Sequence, residues 1–77
     1  MDLNQFIENF ANQFDNTDAA EFKAGTVFKD LDDWSSFIAV SIVATVYEEY
    51  GVTLDGDDIR NANTIEDLYT IIEERIK

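Results

Sequence analysis

No stretch of this chain alternates apolar and polar residues over a useful length; its apolar residues recur at intervals of three and four instead. Leu3, Phe6, Ile7, Phe10 and Phe14, spaced 0, 3, 4, 7 and 11, mark one face of an amphipathic helix, and Asp2 stands where a cap belongs. From Asp15 to Asp33 the pattern breaks into polar residues around Gly25, with apolar anchors at Phe22, Val27, Phe28 and Leu31. A loop of that length is uncommon in a small domain unless pinned or functional, and the anchors predict that it is pinned over the core. A second helix is expected from Ser35 or Ser36 to Tyr50, with Gly51 in the left-handed stop position and Val52 as its apolar contact. A short turn of helix around Asp57 to Asn61, with Ile59 inward, precedes a last helix on Ile65, Leu68, Tyr69, Ile72 and Ile76, opened by a Thr64–Asp67 capping box. The expected fold is all-α: three main helices plus a short one, with a long loop between the first and second.

Seventy-seven residues (1–77) without a Pro/Gly/Ser-rich linker or a repeat read as a single domain with a modest core. A chain this short buries only ~60% of its unfolded surface, yet 45% apolar residues suffice to fold without a staple. Cysteine and histidine are both absent, which removes disulfides, thiolate nucleophiles, thiolate or imidazole metal ligation and a histidine base. Seventeen Asp and Glu against five Lys and Arg leave a net charge of −12 and a pI near 4.1. Such a chain does not bind nucleic acid or an anionic membrane by electrostatics; basic protein surfaces and cations are its natural partners. No apolar run is long enough to span a membrane and no basic start precedes an apolar stretch, so the chain reads as a soluble, cytoplasmic protein. Self-repulsion in so small a fold predicts better folding with salt, with divalent cations and at mildly acidic pH.

The second helix is the most informative. On a wheel of ~100° per residue, Ala39, Val40, Ile42, Val43, Val46, Tyr47 and Tyr50 fill one broad arc, read as core. Ser41, Thr45, Glu48 and Glu49 fill the opposite, wet arc, and Phe37 and Ile38 fall on the wet side or at its edge. Either the preceding loop or Trp34 covers those two, or they form a partner-docking patch; periodicity alone favours the cover. Between Asp30 and Ile59 stand eight acids and no base. Asp30, Asp32 and Asp33 precede a helix N-terminus, where the macrodipole favours them, and the others surround the helix and would steer a basic partner to it.

The run Trp34-Ser35-Ser36-Phe37, the helix ending Glu48-Glu49-Tyr50-Gly51-Val52, the turn Asp55-Gly56-Asp57-Asp58-Ile59 and the closing Asn63-Thr64-Ile65-Glu66-Asp67-Leu68-Tyr69 together resemble an acyl carrier protein. Helix order, loop placement, length and acidity agree over essentially the whole chain, so the resemblance implies that family's small four-helix bundle. It also implies a 4'-phosphopantetheine arm on the serine of an Asp-Ser-Leu motif at the start of the second helix. Aligned without a gap through Glu48-Glu49-Tyr50, that serine is Ser36, although either serine of the pair could be the cap and the other the modified residue. In the family the carrier performs no catalysis: a phosphopantetheinyl transferase, using magnesium, directs the serine oxygen onto coenzyme A, and the imported thiol holds the acyl group as a thioester. The implied docking surface is Asp33, Trp34, Phe37, Ile38, Glu48 and Glu49, facing acyl-transferring or acyl-modifying enzymes with basic surfaces, and the implied state is a monomer.

Three departures from the family stand out. Ser35 replaces the hallmark aspartate, with Asp32 and Asp33 near enough to substitute. Ile38, Ser41 and Tyr47 occupy positions where the family usually exposes acids. Phe37 replaces the usual leucine, as in the D-alanyl carrier subgroup. The second reading is therefore a degenerate carrier fold kept as an unmodified interaction module. An enzyme is disfavoured, because Asp32–Asp33 would act as acid and base only if one were desolvated. A calcium loop at Asp55-Gly56-Asp57-Asp58 is out of register for its glycine and its twelfth-position glutamate. For a tethered acyl chain, Ala39 and Ala44 on the second helix would leave room, and small residues there are equally what close helix packing calls for.

Overall fold

The computed structural model describes residues 2–76 and carries the expected all-α architecture, four helices and, among the described residues, no strand. They are α1 (Leu3–Ala11), α2 (Ser36–Tyr50), α3 (Gly56–Asn61) and α4 (Ile65–Ile76). Their ends follow from capping chemistry. Asp2 Oδ1 accepts from the Asn4 amide at 3.0 Å and opens α1. Gly51, at φ 69°, takes the left-handed position that ends α2 and donates its N–H to the Tyr47 carbonyl at 3.0 Å. At α3 Asp55 and Asp58 form a reciprocal box, each carboxylate accepting the other's amide at 3.0 Å. Thr64 and Asp67 do the same for α4, both bonds at 3.1 Å.

α1 stops at Ala11, sooner than the apolar spacing suggests, and a turn carries Phe14 into the core with its amide donating to the Ala11 carbonyl at 3.0 Å. The long loop is pinned as expected, by aromatic burial. Phe28 meets Phe10 edge-on at 5.3 Å and Trp34 at 5.0 Å, while Phe14 and Phe22 lie 4.9 Å apart. Burying each such ring contributes roughly 1.5–3 kcal/mol, enough to hold a segment with only two short 3₁₀ turns, Ala19–Glu21 and Phe28–Asp30. Val27 is a correction: its side chain is exposed and the anchor there is backbone. Val27 pairs with Thr64 in an isolated bridge, and the Ile65 and Glu66 amides donate to the Thr26 and Ala24 carbonyls at 3.2 and 3.0 Å. The loop thereby satisfies first-turn donors of α4 that would otherwise lack a partner.

The core joins Phe6 and Phe10 of α1, Ile42 and Val46 of α2, and Ile65, Leu68 and Ile72 of α4, with Val52, Leu54 and Ile59 closing it from the α3 side. Ile76, expected on the inward face, is exposed.

The orientation of α2 also corrects the sequence reading. Its buried line is Ile38–Ile42–Val46, with Ile38 only 5% exposed, whereas Val40 and Tyr47, assigned to the core, are 67% and 62% exposed. Ser41 and Thr45 are half-buried rather than wet. The physical reason is that α2 is apolar nearly all round, so hydropathy gives no polar face to orient it and packing against α1 and α4 decides. No cover closes over Phe37, which is 75% exposed; Trp34 packs on Phe28 and Phe14 instead.

Candidate functional site

The two adjacent serines have different environments. Ser35 lies just outside α2 in extended conformation, and its Oγ accepts from the Ile38 amide at 3.3 Å while its carbonyl accepts from the Ala39 amide at 3.0 Å. It is the N-cap. Ser36 is the first helical residue, is exposed, and its hydroxyl makes no hydrogen bond among the described residues.

Both serines line a cleft of about 600 Å³ between α2 and α3, a volume typical of small-molecule sites. Ala39, Val40 and Val43 form its α2 wall, and Leu54 and Ile59 the opposite one. Trp34 also borders it. Ala39 is therefore placed as expected, but Ala44 is not: it is exposed on α2 away from the cleft.

Two of the chain's five bases reach this cleft, Lys29 and Arg60, and sequence reasoning missed both. They stand immediately outside the base-free stretch from Asp30 to Ile59, and folding brings its two ends together. Lys29 Nζ donates to the Arg60 carbonyl at 2.8 Å, a cation at the C-terminal end of α3, and the Arg60 guanidinium pairs with Asp57.

The far wall of the cleft is fixed by a second feature absent from the sequence reading. Arg75 of α4 grips Asp58 of α3 through two bonds, Nη1 to Oδ2 at 2.6 Å and Nη2 to Oδ1 at 2.5 Å, and reaches the Thr53 carbonyl at 3.1 Å. The guanidinium holds the Asp58 carboxyl below the usual carboxylate range despite burial, and Asp58 in turn pushes Arg75 up. Seventeen residues separate the partners and no local pattern announces them. Asp67 is likewise held low, by the Thr64 and Asn63 amides.

The remaining predicted site residues scatter. Asp33 turns one carboxylate oxygen to the loop, accepting from the Asn16 amide at 2.9 Å and the Thr17 hydroxyl at 2.7 Å. Asp32, Glu48 and Glu49 are exposed, Trp34 is half-buried at the cleft, Phe37 faces solvent and Ile38 lies in the core. Ile38 is therefore unable to dock a partner, against expectation. The acids of the out-of-register calcium loop are engaged separately, Asp55 in capping, Asp57 with Arg60 and Asp58 with Arg75.

No family model matches the chain, and no curated protein or solved structure matches it. Among the described residues, no helix is long and apolar enough to cross a membrane.

Proposed function

We propose that the chain is an acyl carrier protein. It bears acyl groups as thioesters on a 4'-phosphopantetheine arm attached to Ser36 and delivers them to partner enzymes of fatty acid, polyketide or related biosynthesis. The observation that carries this reading is the division of labour between the serines. Ser35 is consumed in capping, which leaves the Ser36 hydroxyl exposed and unengaged beside an apolar cleft. A phosphodiester on Ser36 is an anion at the N-terminal end of a 15-residue helix, where the macrodipole favours it. The arm, when present, supplies the thiol that a chain without cysteine lacks.

What the chain itself does is hold and present. Ala39, Val43, Leu54 and Ile59 offer an apolar cargo a wall that removes it from water, at about 25 cal/mol per Å² covered. The exposed acids Asp32, Glu48 and Glu49 steer basic partners. The chain's part in the chemistry is that of a carrier rather than a catalyst.

The test is intact mass after incubation with coenzyme A, magnesium and a broad-specificity phosphopantetheinyl transferase. One phosphopantetheinyl increment, lost in Ser36→Ala and kept in Ser35→Ala, is the expected result. Loss only in Ser35→Ala would keep the function and move the site. No increment with that enzyme or the host's own would favour the degenerate, unmodified interaction module, the reading supported by Ser35 at the hallmark aspartate position and by the exposed Phe37.

A further inference from the structure

The cleft between α2 and α3 reverses the charge balance of the chain around it. Seventeen acids face five bases overall, whereas the charged residues that border the cleft are two bases, Lys29 and Arg60, and one acid, Asp55. Two of those three are committed to α3 itself: Asp55 caps it by accepting the Asp58 amide, and the Arg60 guanidinium pairs with Asp57. Lys29 is different. It is half-buried, its ammonium lies 5.7 Å from the centre of the buried Phe28 ring, and among the described residues no carboxylate pairs with it.

The one hydrogen bond of the Lys29 ammonium goes to the Arg60 carbonyl at 2.8 Å, and an ammonium has three N–H groups to place. A cation at the C-terminal end of α3 accounts for that bond and for nothing more. The other two donors can be met by water only while the cleft is open. A wholly apolar occupant takes that water away and offers no acceptor in return, which is unfavourable for a charged donor. An occupant that carries a carboxylate replaces the water with a charge-assisted bond. Small-molecule sites are built in this way, from an apolar lining and a few polar groups that select the ligand.

We propose that Lys29 makes this cleft selective for an apolar chain that bears a carboxylate, the carboxylate pairing with the ammonium while the chain lies along Ala39, Val43, Leu54 and Ile59. Lys29 is thus a specificity-determining residue. Two sources share that chemistry: a free aliphatic acid, and the far carboxylate of a dicarboxylic acyl group on a Ser36 arm. The second source rests on the carrier reading and the first does not. The primary test therefore uses the unmodified chain, which has no phosphodiester to compete for the ammonium.

The probe is octanoate, with 1-octanol as its neutral match of equal length, followed by the fluorescence of Trp34 at the cleft border and by ¹⁵N shift changes. Octanoate should bind saturably and at least about fivefold more tightly than 1-octanol, despite the chain's net charge of −12. The shift changes should centre on Lys29, Ala39, Val43 and Ile59. Lys29→Met, which keeps an unbranched apolar stem, should abolish the preference, and Lys29→Arg should retain it. Lys23→Met removes the same charge from an exposed lysine outside the cleft and should leave the preference intact. Loaded on the Ser36 arm, an octanedioyl group should raise the melting temperature more than an octanoyl group does, and no more than it in Lys29→Met. Equal rises in the wild type would assign the site to the free acid.

The proposal is overturned by an absence of saturable octanoate binding up to about 10 mM, or by 1-octanol binding as tightly as octanoate. A preference that survives Lys29→Met, or that Lys23→Met removes equally, would overturn it too. The comparison of the two ligands needs no variant, so it decides even where a substitution fails to fold. A Ser36 that is never modified leaves the octanoate result untouched, and a failure of octanoate leaves the modification of Ser36 untouched, so the two readings fail separately.

Discussion

Ser35 Oγ and the Ile38 amide meet at 3.3 Å, and that bond separates two adjacent serines into a structural and a chemically free hydroxyl. Removing an N-cap hydroxyl costs about 1 kcal/mol, whereas alanine at the first helical position is at worst neutral. In urea denaturation Ser35→Ala should therefore lose about 1 kcal/mol and Ser36→Ala no more than a few tenths. Equal losses in the two variants would contradict the cap assignment.

The ion pair between Asp58 and Arg75 should dominate the stability of the α3–α4 joint. Arg75→Met leaves a largely buried carboxylate, 8% exposed as a residue, without its guanidinium. Breaking a fully buried pair costs 3–5 kcal/mol in general. Arg75 is part-exposed and Asp58 keeps the Asp55 amide, so about 2 kcal/mol is expected here. Chemical denaturation checks it; a loss below about 0.5 kcal/mol would reduce the pair to an ordinary surface contact.

The same carboxylates set the acid limit. Asp58 and Asp67 have folded pKa values below their ordinary value, so the unfolded chain binds protons first as pH falls. Their contribution is complete above the unfolded pKa of about 4 and is lost as pH drops through the lower folded values. Stability measured by denaturation should not fall between pH 7 and about 5, where relief of self-repulsion works in its favour, and should fall below about 4. In Asp58→Asn, which removes one of these groups, the fall should be shallower, even though that variant starts out less stable.

Much of this fold is legible locally, because caps and periodic faces are local. Asp2, the Thr64–Asp67 box and Gly51 act within a few residues of where they stand, and the loop's anchors Phe22 and Phe28 stand out as aromatics in a polar run even though the rings they meet are distant in sequence. What misleads is α2. Its apolar residues surround the helix, so the arc holding Val40 and Tyr47 and the arc holding Ile38 and Ile42 are equivalent until α1 and α4 choose between them. The Ser35/Ser36 alternative is of a different kind, since both can cap and only the helix register decides. Lys29 meeting Arg60 and Arg75 meeting Asp58 are long-range pairings, set by how loop and helices close. The cleft shares that origin: Ala39 and Val43 border it only because Leu54 and Ile59 stand opposite.

Net charge gives a separate expectation. At −12, with exposed acids on the loop, α2 and α3, screening should relieve more repulsion than it costs in attraction, because seventeen acids face only five bases. The melting temperature should rise from low salt to about 0.5 M NaCl, where the Debye length is well under 10 Å. A melting temperature that ignored or fell with salt would mean that attractive surface pairs dominate.

The cleft between α2 and α3 offers the last test, one that rests on the carrier reading. An apolar cargo on Ser36 that folds back over Ala39, Val43, Leu54 and Ile59 binds only the folded chain, and so should raise the melting temperature above that of the unloaded form. Ala39→Leu fills part of the same volume with the chain's own atoms. It should leave the unloaded protein as stable as the wild type or more so, since the added methylenes enter open space beside a half-buried position. The stabilisation gained on acylation should shrink in that variant. Trp34, which borders the cleft, should report the same difference as a smaller change in fluorescence between unloaded and acylated forms. If Ala39→Leu gains as much from the cargo as the wild type does, the acyl chain lies somewhere other than this cleft.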